Sequence, residues 1–261
     1  MEIYAIERKN RILSQLQQRG RVEVSRLADE LNVSKETLRK DLRELEAENL
    51  LSRVHGGAVP VKEQYLDKQR SAIYREQQHR EEKIRICKKA AALVRDQDTI
   101  FIDNSSTNYN LVRYIDPKLH VTIITNSVKV LMDSAYLDPN NFTFISVGGI
   151  FRKEFFSLVG EPALSAVNSY HPNITFLSCF GIGKEGILYD ISIYETDIKK
   201  AAMSIADRVV LTADHTKMGV AGGALLSTLN NVDDLITDIK PGTAELECLK
   251  SCGTALILAD E

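Results

Sequence analysis

The chain has 261 residues, 44% of them hydrophobic and 26% charged, which is enough for one large globular domain or two smaller ones. Its net charge of −3 excludes a polybasic protein, and residues 1–60 hold only 11 Lys and Arg against 10 Asp and Glu, so any nucleic-acid contact must come from charge gathered on one face. No apolar run approaches ~18 residues and the N-terminus lacks a signal-peptide pattern, so we expect no membrane span and a cytoplasmic protein.

Three short helical patterns open the chain. Ser34 stands where the N-cap of the third helix belongs, because its hydroxyl can accept from a free backbone amide of the first turn. The first helix is expected to end near Gly20, and Asn32 and Val33 form a tight connection after the second. The apolar stripes of the first two helices are Ile6, Ile12, Leu13 and Leu16, then Val24, Leu27, Ala28 and Leu31.

The third helix can be oriented from its own residues. Leu38, Leu42 and Leu45 lie on one side at ~100° per residue and face the core. The opposite side is polar and rich in basic groups, which suits a recognition helix whose N-terminal half enters the major groove of DNA. The alternative for this face alone is a solvated charged surface on a small helical bundle. The candidate DNA-binding residues are Ser34, Lys35, Glu36, Thr37, Arg39, Lys40 and Arg43.

A hairpin pattern follows the third helix. In LLSRVHGGAVPV, Gly56 and Gly57 separate two apolar runs and are expected to supply the positive backbone angles of a tight turn. Arg53 and His55 lie beside that turn and are further candidate DNA contacts. We therefore predict a winged helix-turn-helix DNA-binding domain over residues 1–58.

The first sixty residues resemble the DNA-binding domain of DeoR-type bacterial transcription regulators. The family signature runs G-x-V-x-V-x-x-L-A-x-x-L-x-V-S-x-x-T-[IL]-R-[RK]-D-L-x-x-L-E, followed by an arginine and H-G-G-A. Lys40 stands where an arginine is commoner, which keeps the charge but loses bidentate geometry. The resemblance implies that the partner is double-stranded operator DNA. The matching residues are Gly20, Val22, Val24, Leu27, Ala28, Leu31, Val33, Ser34, Thr37, Leu38, Arg39, Lys40, Asp41, Leu42, Leu45, Glu46, Arg53, His55, Gly56, Gly57 and Ala58.

The rest of the chain alternates short apolar strands with amphipathic helices. Residues 59–80 are polar and weakly periodic and are predicted to form a connecting arm, and a helical pattern begins at Glu81. Strands are predicted at 99–103, 121–125, 142–147, 174–179, 208–213, 234–237 and 254–258. This alternation predicts an α/β domain over 81–261, with a mainly parallel sheet covered on both faces and a ligand at the carboxyl ends of its strands.

Several predicted strands end in polar groups. After the first comes Asp103-Asn104-Ser105-Ser106-Thr107, placed where a helix is expected to begin. Backbone amides at a helix start, together with hydroxyls, can donate to an anion such as phosphate. The alternative is an ordinary capping loop. Further polar strand ends are Asn126 and Ser127, Gly148 and Gly149, and Asp214 to Lys217.

Other motifs are weak. Gly181–Gly186, GIGKEG, fits the dinucleotide pattern G-x-G-x-x-G, but it leads into a strand rather than a helix, so we predict a hairpin. The histidines have no metal spacing, and we predict no catalytic residue, metal site or cofactor. His215 beside Asp214 allows acid–base chemistry but is more typical of a polar strand end. The four cysteines are expected to be reduced and mostly buried, although Cys248 and Cys252 could share a helix face.

The second domain resembles the sugar-phosphate-sensing domain of the same family. Its motifs are an aspartate with a Gly/Ser/Thr run, T-N-S, G-G-x-[LIF]-R, a glycine-rich stretch with E-x-x-x-K, D-x-[ST]-K-[FM]-G and I-T-D. They match Asp103 to Thr107, Thr125 to Ser127, Gly148 to Arg152, Gly181 to Lys199, Asp214 to Gly219 and Ile236 to Asp238. The resemblance implies a fold like ribose-5-phosphate isomerase, used for sensing.

The predicted ligand site combines residues of these motifs. Ser105, Ser106, Thr107 and adjacent amides are expected to hold phosphate. The remaining residues would contact sugar hydroxyls or close the site. The full set is Asp103, Asn104, Ser105, Ser106, Thr107, Asn126, Gly148, Gly149, Lys153, Gly181, Glu195 and Lys217.

Two departures from the family pattern bear on the ligand. Asn104 replaces a glycine, and Phe180 replaces an acid, so an apolar ring stands where a carboxylate would grip hydroxyls. With these two residues the sensing domain is similar to that of regulators of deoxysugar catabolism.

Together the patterns predict a sequence-specific transcription regulator, a repressor of a sugar-catabolism operon whose DNA binding responds to a phosphorylated sugar, and which acts as a homo-dimer or tetramer. One alternative is a sugar-phosphate isomerase with an accessory DNA-binding domain, since Asp103, Glu195 and Lys217 offer acid–base groups. A second alternative is a redox or metal sensor that uses the cysteines.

Overall fold

The computed structural model describes residues 5–19, 21–48, 50–54, 56–59 and 72–259. The chain divides into two compact units, Met1–Tyr74 and Arg75–Glu261. Gly20 and His55, both named by the sequence patterns, lie outside the described residues. Among the residues that are described, no helix combines the length and apolar character needed to cross a bilayer.

The first unit is a winged helix-turn-helix. Its three-stranded antiparallel sheet has the order β1-β3-β2. The predicted apolar stripes form its core, except that Ile6 is 74% exposed because it lies in the first turn of the first helix, where the other helices do not cover it. The elements are α1 (Ala5–Arg19), β1 (Val22–Glu23), α2 (Val24–Leu31), α3 (Lys35–Ala47), β2 (Ser52–Val54) and β3 (Gly57–Val59).

The two wing glycines have different roles. Gly56 takes the predicted positive angle, with φ of 80°. Gly57 instead pairs with Glu23 inside the sheet, and a Cβ at Gly57 would lie 1.9 Å from the carbonyl oxygen of Val22. The expectation of positive φ at Gly57 is therefore wrong: glycine is needed there because β1 and β3 approach too closely for a side chain.

The second unit is built on a seven-stranded parallel sheet with the order β15-β14-β12-β9-β4-β5-β6. All seven strands correspond to predicted ones, to within two residues at each end. The strands are β4 (Thr99–Ile102), β5 (Val121–Thr125), β6 (Phe142–Ser146), β9 (Ile174–Leu177), β12 (Arg208–Thr212), β14 (Asp234–Thr237) and β15 (Ala255–Leu258).

The chain also contains further helices and two small antiparallel sheets, and one of these helices spans the division between the two units. The predicted helix at Glu81 begins at Arg80, and part of the segment predicted as a connecting arm is helical. The elements are α4 (Ala72–Gln77), α5 (Arg80–Ala91), α6 (Val128–Asp133), α7 (Glu161–Val167), α8 (Ile193–Ser204) and α9 (Thr243–Cys252), with strands β7 (Ile150–Arg152), β8 (Ser157–Val159), β10 (Gly181–Ile182), β11 (Ile187–Asp190) and β13 (Ala224–Thr228).

Both faces of the parallel sheet are buried. Ile100 and Ile102 of β4 pack in one apolar cluster with α5, while Phe101 points the other way into a cluster with α7 and α8. This is the arrangement in which strands read as continuous apolar runs, because neither face meets water. The doubly covered parallel sheet predicted from sequence is confirmed.

Two local predictions have different outcomes. The hairpin predicted at Gly181–Gly186 is confirmed, since β10 pairs antiparallel with β11. The prediction of an α-helix after Thr107 is wrong, because the chain makes successive turns from Ser105 and then a short 3-10 helix, Leu111–Tyr114. Side-chain hydrogen bonds to Asp103 hold these turns in place.

Candidate functional site

The outer face of α3 is open to solvent. Ser34, Lys35, Glu36, Arg39, Lys40 and Arg43 are exposed and Thr37 is half-buried. The hydroxyl of Ser34 accepts from the Thr37 amide at 3.0 Å, which is the predicted N-cap. Leu38, Leu42 and Leu45 are buried on the opposite side. The helix therefore presents a basic face at its N-terminal half.

The two arginines of this face share one acid. Arg43 Nη2 lies 2.8 Å from Glu36 Oε1, and Arg39 Nη1 lies 3.4 Å from Glu36 Oε2. All three side chains are more than half exposed, so these pairs are weak and can exchange for phosphate oxygens.

The wing is fixed to α3 through one carboxylate. Glu46 accepts from the backbone amide of Arg53 at 2.9 Å and from its Nε at 2.6 Å. Arg53, predicted as a DNA contact, thus also holds the hairpin against the helix. On the buried side, Arg8 donates to both oxygens of Asp41 at 2.7 and 3.1 Å, which ties α1 to α3.

In the second unit, Asp103 organises the loop after β4. Its Oδ1 accepts from the Ser105 amide, the Ser105 hydroxyl and Asn108 Nδ2 at 3.1, 2.6 and 3.0 Å. Its Oδ2 accepts from the Ser178 amide at 2.9 Å and lies 3.0 Å from Lys199 Nζ. Both oxygens of this fully buried carboxylate are therefore occupied by protein.

Lys199 of α8 neutralises the centre of the site. Its Nζ also lies 2.5 Å from Asp190 and donates to the Ser178 carbonyl at 2.7 Å. Burial alone would lower the pKa of Lys199, but the carboxylates of Asp190 and Asp103 outweigh it and raise the pKa above its ordinary value.

The other predicted acid, Glu195, is equally engaged. It lies one turn before Lys199 on α8 and is 3% exposed. Arg152 Nη1 donates to its Oε2 at 2.5 Å and the Ser157 hydroxyl donates to its Oε1 at 2.8 Å. The guanidinium of Arg152 stacks over the Phe155 ring at 4.5 Å.

Asn104 and Asn126 join neighbouring strand ends. Asn126 Nδ2 donates to Asn104 Oδ1 at 3.3 Å, and Asn104 Nδ2 donates to the Phe155 carbonyl at 3.4 Å. Asn126 Oδ1 is buried and, within the described residues, accepts from no protein group. Asn104 replaces a glycine of the family pattern, and its side-chain amide links Asn126 to the Phe155 carbonyl.

The loop Ser105–Thr107 meets a buried lysine. Lys83 Nζ of α5 lies 3.1 Å from the Ser106 hydroxyl and donates to the Arg75 carbonyl at 2.5 Å. Burial lowers the pKa of Lys83 to about 8, against the opposing charge of Asp214. Within the part of the chain that is described, the amides of Ser106 and Thr107 donate to no protein acceptor.

Lys217 and Asp214 follow β12 at the carboxyl-end edge of the parallel sheet. The ammonium of Lys217 lies 5.9 Å from the centre of the Phe180 ring. Burial alone would raise the pKa of Asp214, but Lys217, the Thr216 hydroxyl and Lys83 outweigh it and lower the pKa. Asp214 Oδ2 is buried and has no hydrogen-bond partner among the described residues.

Four predicted ligand residues have simpler roles or positions. A Cβ at Gly149 would lie 2.5 Å from the Val159 carbonyl, and one at Gly181 would lie 2.4 Å from the Val220 carbonyl, so backbone approach accounts for both glycines. Gly148 has φ of 65° and open space around it. Lys153 is exposed in the turn between β7 and β8.

Among the described residues, His215 and the four cysteines form no catalytic or metal-binding cluster. His215 contacts Asp238 through Nδ1 at 2.7 Å rather than the neighbouring Asp214. Cys87 and Cys179 are buried, and Cys248 and Cys252 are half-buried with free thiols. Over residues 5–59 and 72–259, apart from the few positions not described, no group of His, Cys, Asp and Glu has the arrangement of a metal site.

Sequence patterns missed two basic residues near the predicted loop, Arg75 and Lys83, and they included Arg152 in a family motif without assigning it to the ligand site. Arg75 and Lys83 precede the sheet, in segments that read as a charged arm and an ordinary amphipathic helix. Lys83 faces inward on α5 beside the buried Ile86 and Cys87, and a lysine on the apolar stripe of a helix is the only local signal that could have marked it.

Comparison with known protein families finds a match for each of the two parts of the chain. A family model described as the DeoR-like helix-turn-helix domain matches residues 8–64, and one described as the DeoR C terminal sensor domain matches residues 78–239.

Individual relatives cover nearly the whole chain. The HTH-type transcriptional regulator GolR of Listeria innocua is 34% identical over 99% of this chain and all of that protein. The Glycerol-3-phosphate regulon repressor of Escherichia coli is 28% identical over 93% of this chain and 94% of that one. Among solved structures, ribose 5-phosphate isomerase from Methanocaldococcus jannaschii is 18% identical with a TM-score of 0.38, covering 52% of this chain and 53% of that one.

Proposed function

The chain belongs to the DeoR family of DNA-binding transcriptional regulators, and on that premise we propose that its second domain binds a phosphorylated sugar that changes its affinity for operator DNA. We propose further that it acts as a repressor, as the name of one relative, the Glycerol-3-phosphate regulon repressor, states for that protein, and that its target is an operon for sugar catabolism. The exposed basic face of α3 is the expected DNA-reading surface.

One observation carries the choice of ligand. The free amides of Ser106 and Thr107 and the hydroxyl of Ser106 stand beside Lys83, while the buried acceptors Asn126 Oδ1 and Asp214 Oδ2 have no partner in the described structure. Buried polar groups normally find partners, so these positions suit a ligand with an anionic end and several hydroxyl donors. A sugar phosphate has that chemistry.

The ring of Phe180 narrows the ligand class. It replaces the acid of the family pattern at the edge where Lys217 lies, and an apolar surface there accepts a methyl or deoxy position better than a hydroxyl. We therefore expect a deoxysugar phosphate to bind more tightly than the corresponding fully hydroxylated one.

Sensing fits the site better than isomerase chemistry. A general base must be able to reach a substrate proton. Both oxygens of Asp103 are occupied, and Glu195 is held by Arg152 and Ser157. Two of the three acid–base groups that the isomerase alternative offers, Asp103 and Glu195, are therefore committed to protein partners within the described site. Turnover of pentose or hexose phosphates by the purified protein would favour the enzymatic alternative.

Oligomerisation is a further part of the proposal. A single winged helix-turn-helix contacts a short stretch of DNA, so specific recognition of an operator is expected to require a dimer or tetramer on repeated half-sites. Sedimentation of the full chain with and without operator DNA tests this expectation.

The central experiment is a thermal-shift screen of the full chain against matched sugars and sugar phosphates, including deoxysugar phosphates. A ligand that binds only the folded state at ~100 times its Kd should add about 2.7 kcal/mol to the free energy of unfolding. We expect stabilisation by phosphorylated members alone, because the site supplies anion donors that an uncharged sugar leaves unpaired. Stabilisation by unphosphorylated sugars, or by none, would contradict the proposal.

A variant pair locates the site. Ser106→Glu places a carboxylate next to Lys83, and it should abolish the response to the sugar phosphate while preserving operator binding. Ser165→Glu, on the exposed side of α7, is the matched control and should behave as the wild type. If Ser106→Glu still responds, the phosphate lies elsewhere in the domain.

A further inference from the structure

Two guanidinium nitrogens of Arg75, in α4, are buried and have no hydrogen-bond partner among the described residues. Arg75 is partly exposed as a whole, but its Nε and Nη2 atoms are almost completely shielded from solvent. Its Cζ lies 5.4 Å from the centre of the Phe155 ring. No described carboxylate forms an ion pair with it.

The surrounding carboxylates cannot serve as its partners. Asp190, Glu195 and Asp103 all act on Arg75 electrostatically, and they oppose the lowering of its pKa by burial. Each of them already contacts another cation: Asp103 and Asp190 share Lys199, and Glu195 pairs with Arg152. None of them is hydrogen-bonded to Arg75 in the described structure, so the Nε and Nη2 donors of its guanidinium are left without an acceptor.

Its neighbours make the same region more positive. Lys83 Nζ lies within hydrogen-bond distance of both the Arg75 carbonyl and the Ser106 hydroxyl. A buried guanidinium stays charged, and two parallel N–H groups on Nε and Nη2 fit two oxygens of a phosphate or carboxylate. Arg75 and Lys83 together offer positive charge and two guanidinium N–H donors without acceptors. An anion bound between them would supply the missing acceptors.

We propose that Arg75 binds the phosphate of the effector in a bidentate manner through Nε and Nη2, with Lys83 and the Ser106 loop holding its remaining oxygens. This inference rests on the proposed function and deepens it, because it assigns the anion to a residue outside the sheet and outside the strand-end loops. Arg75 thereby selects phosphorylated ligands over neutral ones.

The position of Arg75 in the chain connects ligand binding to the DNA-binding unit. The division between the compact units falls between Tyr74 and Arg75, inside the single short helix α4. Tyr74 packs on the apolar core of the first unit. The residue that holds the anion is thus covalently next to the last residue of the first unit.

The test uses the full chain and two variants, Arg75→Met and Arg75→Lys, with inorganic phosphate as the probe at constant ionic strength. Arg75→Met removes the unpaired buried charge at similar volume, so its melting temperature without phosphate should rise by about 2–4 °C while its stabilisation by phosphate is lost. Arg75→Lys keeps a charge without the planar fork and should bind phosphate about 10- to 100-fold more weakly.

The matched control is Arg208→Met. Arg208 is paired with Asp234 at the amino ends of the strands, on the opposite edge of the sheet, so this variant should lose stability but keep the full phosphate response. A lower melting temperature of Arg75→Met with an unchanged phosphate response would show that Arg75 is a structural residue and would overturn the inference.

The outcomes separate the inference from the proposed function. If Ser106→Glu loses the phosphate response and Arg75→Met keeps it, the effector site stands and the assignment of Arg75 fails. If the wild type responds to neither inorganic phosphate nor any sugar phosphate, both are wrong.

Discussion

Lys199 and Asp103 meet at the centre of the second domain, with 3.0 Å between Nζ and Oδ2. Both side chains are buried, and they come from α8 and from the loop after β4, which are almost a hundred residues apart in the chain. Asp103 also accepts hydrogen bonds from Ser105 and Asn108, so the lysine holds the carboxylate that shapes the loop Ser105–Thr107. The pair is therefore a positioning device for the candidate ligand site.

Replacing this lysine should destabilise the second domain. Lys199→Met leaves Asp103 and Asp190 buried together without their counter-charge, and removing one partner of a buried ion pair typically costs about 3–5 kcal/mol. Urea denaturation measures the change. Lys200→Met, exposed on the next position of the same helix, is the control and should shift stability by less than about 0.5 kcal/mol. Equal stability of the two variants would contradict the described pairing.

Substitutions on the exposed basic face of α3 should change the affinity for operator DNA. Arg39→Ala and Arg43→Ala should each weaken operator binding by about 1–3 kcal/mol, because these groups are placed to reach bases or phosphates. Glu36→Gln should strengthen binding, since it releases both arginines from an acid that also repels phosphate. Binding isotherms at several salt concentrations separate the roles, as loss of a phosphate contact reduces the salt slope by about one.

Arg95→Ala is the matched control for these variants. Arg95 is exposed in the second unit, outside the predicted DNA surface. It should retain wild-type operator affinity and wild-type effector response. If Arg39→Ala and Arg43→Ala bind like Arg95→Ala at the same salt concentration, α3 is not in the interface.

Effector affinity should fall in alkaline solution. The pKa of Lys83 is lowered to about 8 by burial, with Asp214 and Cys87 raising it and Lys217 and Arg75 lowering it. A phosphate beside Lys83 raises that pKa, so above pH ~8 binding must take up a proton and becomes weaker by up to tenfold per pH unit. Between the phosphate's second pKa near ~6 and pH ~8, affinity should be nearly constant.

Titration calorimetry from pH 6.5 to about 9.5, in two buffers that differ in ionisation enthalpy, measures this proton uptake directly. Lys83→Met should bind more weakly at every pH and take up no proton above pH ~8. A wild-type affinity that does not change with pH, or a Lys83→Met variant with the same pH slope, would separate Lys83 from the ligand.

The cysteines should divide into two reactivity classes. Burial raises the pKa of Cys87 and of Cys179 to about 12, and Cys87 Sγ donates to the Thr107 carbonyl. The thiolate is the reactive form, so both should resist alkylation at pH ~8 in the native protein. Cys248 and Cys252 are half-buried on α9 and should react more readily. Mass spectrometry after brief labelling distinguishes the classes, and all four should react in denaturant.

Local order in this protein could be predicted from residues close together in the chain. The stripe Leu38, Leu42 and Leu45, the cap at Ser34 and the seven apolar strands all depend on spacing or on a neighbour within a few residues. The same patterns placed the polar strand ends at one edge of the sheet, because the carboxyl ends of parallel strands lie together.

Long-range pairing determined which of those polar groups have protein partners. Asp103 and Glu195 are predicted from sequence to contact sugar hydroxyls or close the site, and in the fold Lys199 and Arg152 reach them from other elements and pair with them. Arg75 lies in a segment that reads as a charged arm, and only the folded domain leaves it buried and unpaired.

The sequence by itself thus determined the winged helix-turn-helix, the parallel sheet and the family, since each depends on periodicity, caps and motifs within continuous segments. Tertiary structure alone decided which charged and polar groups are paired and which are left without a partner among the described residues. Ion pairing depends on distances of about 3 Å between atoms that are far apart in the chain, and no local pattern encodes those distances.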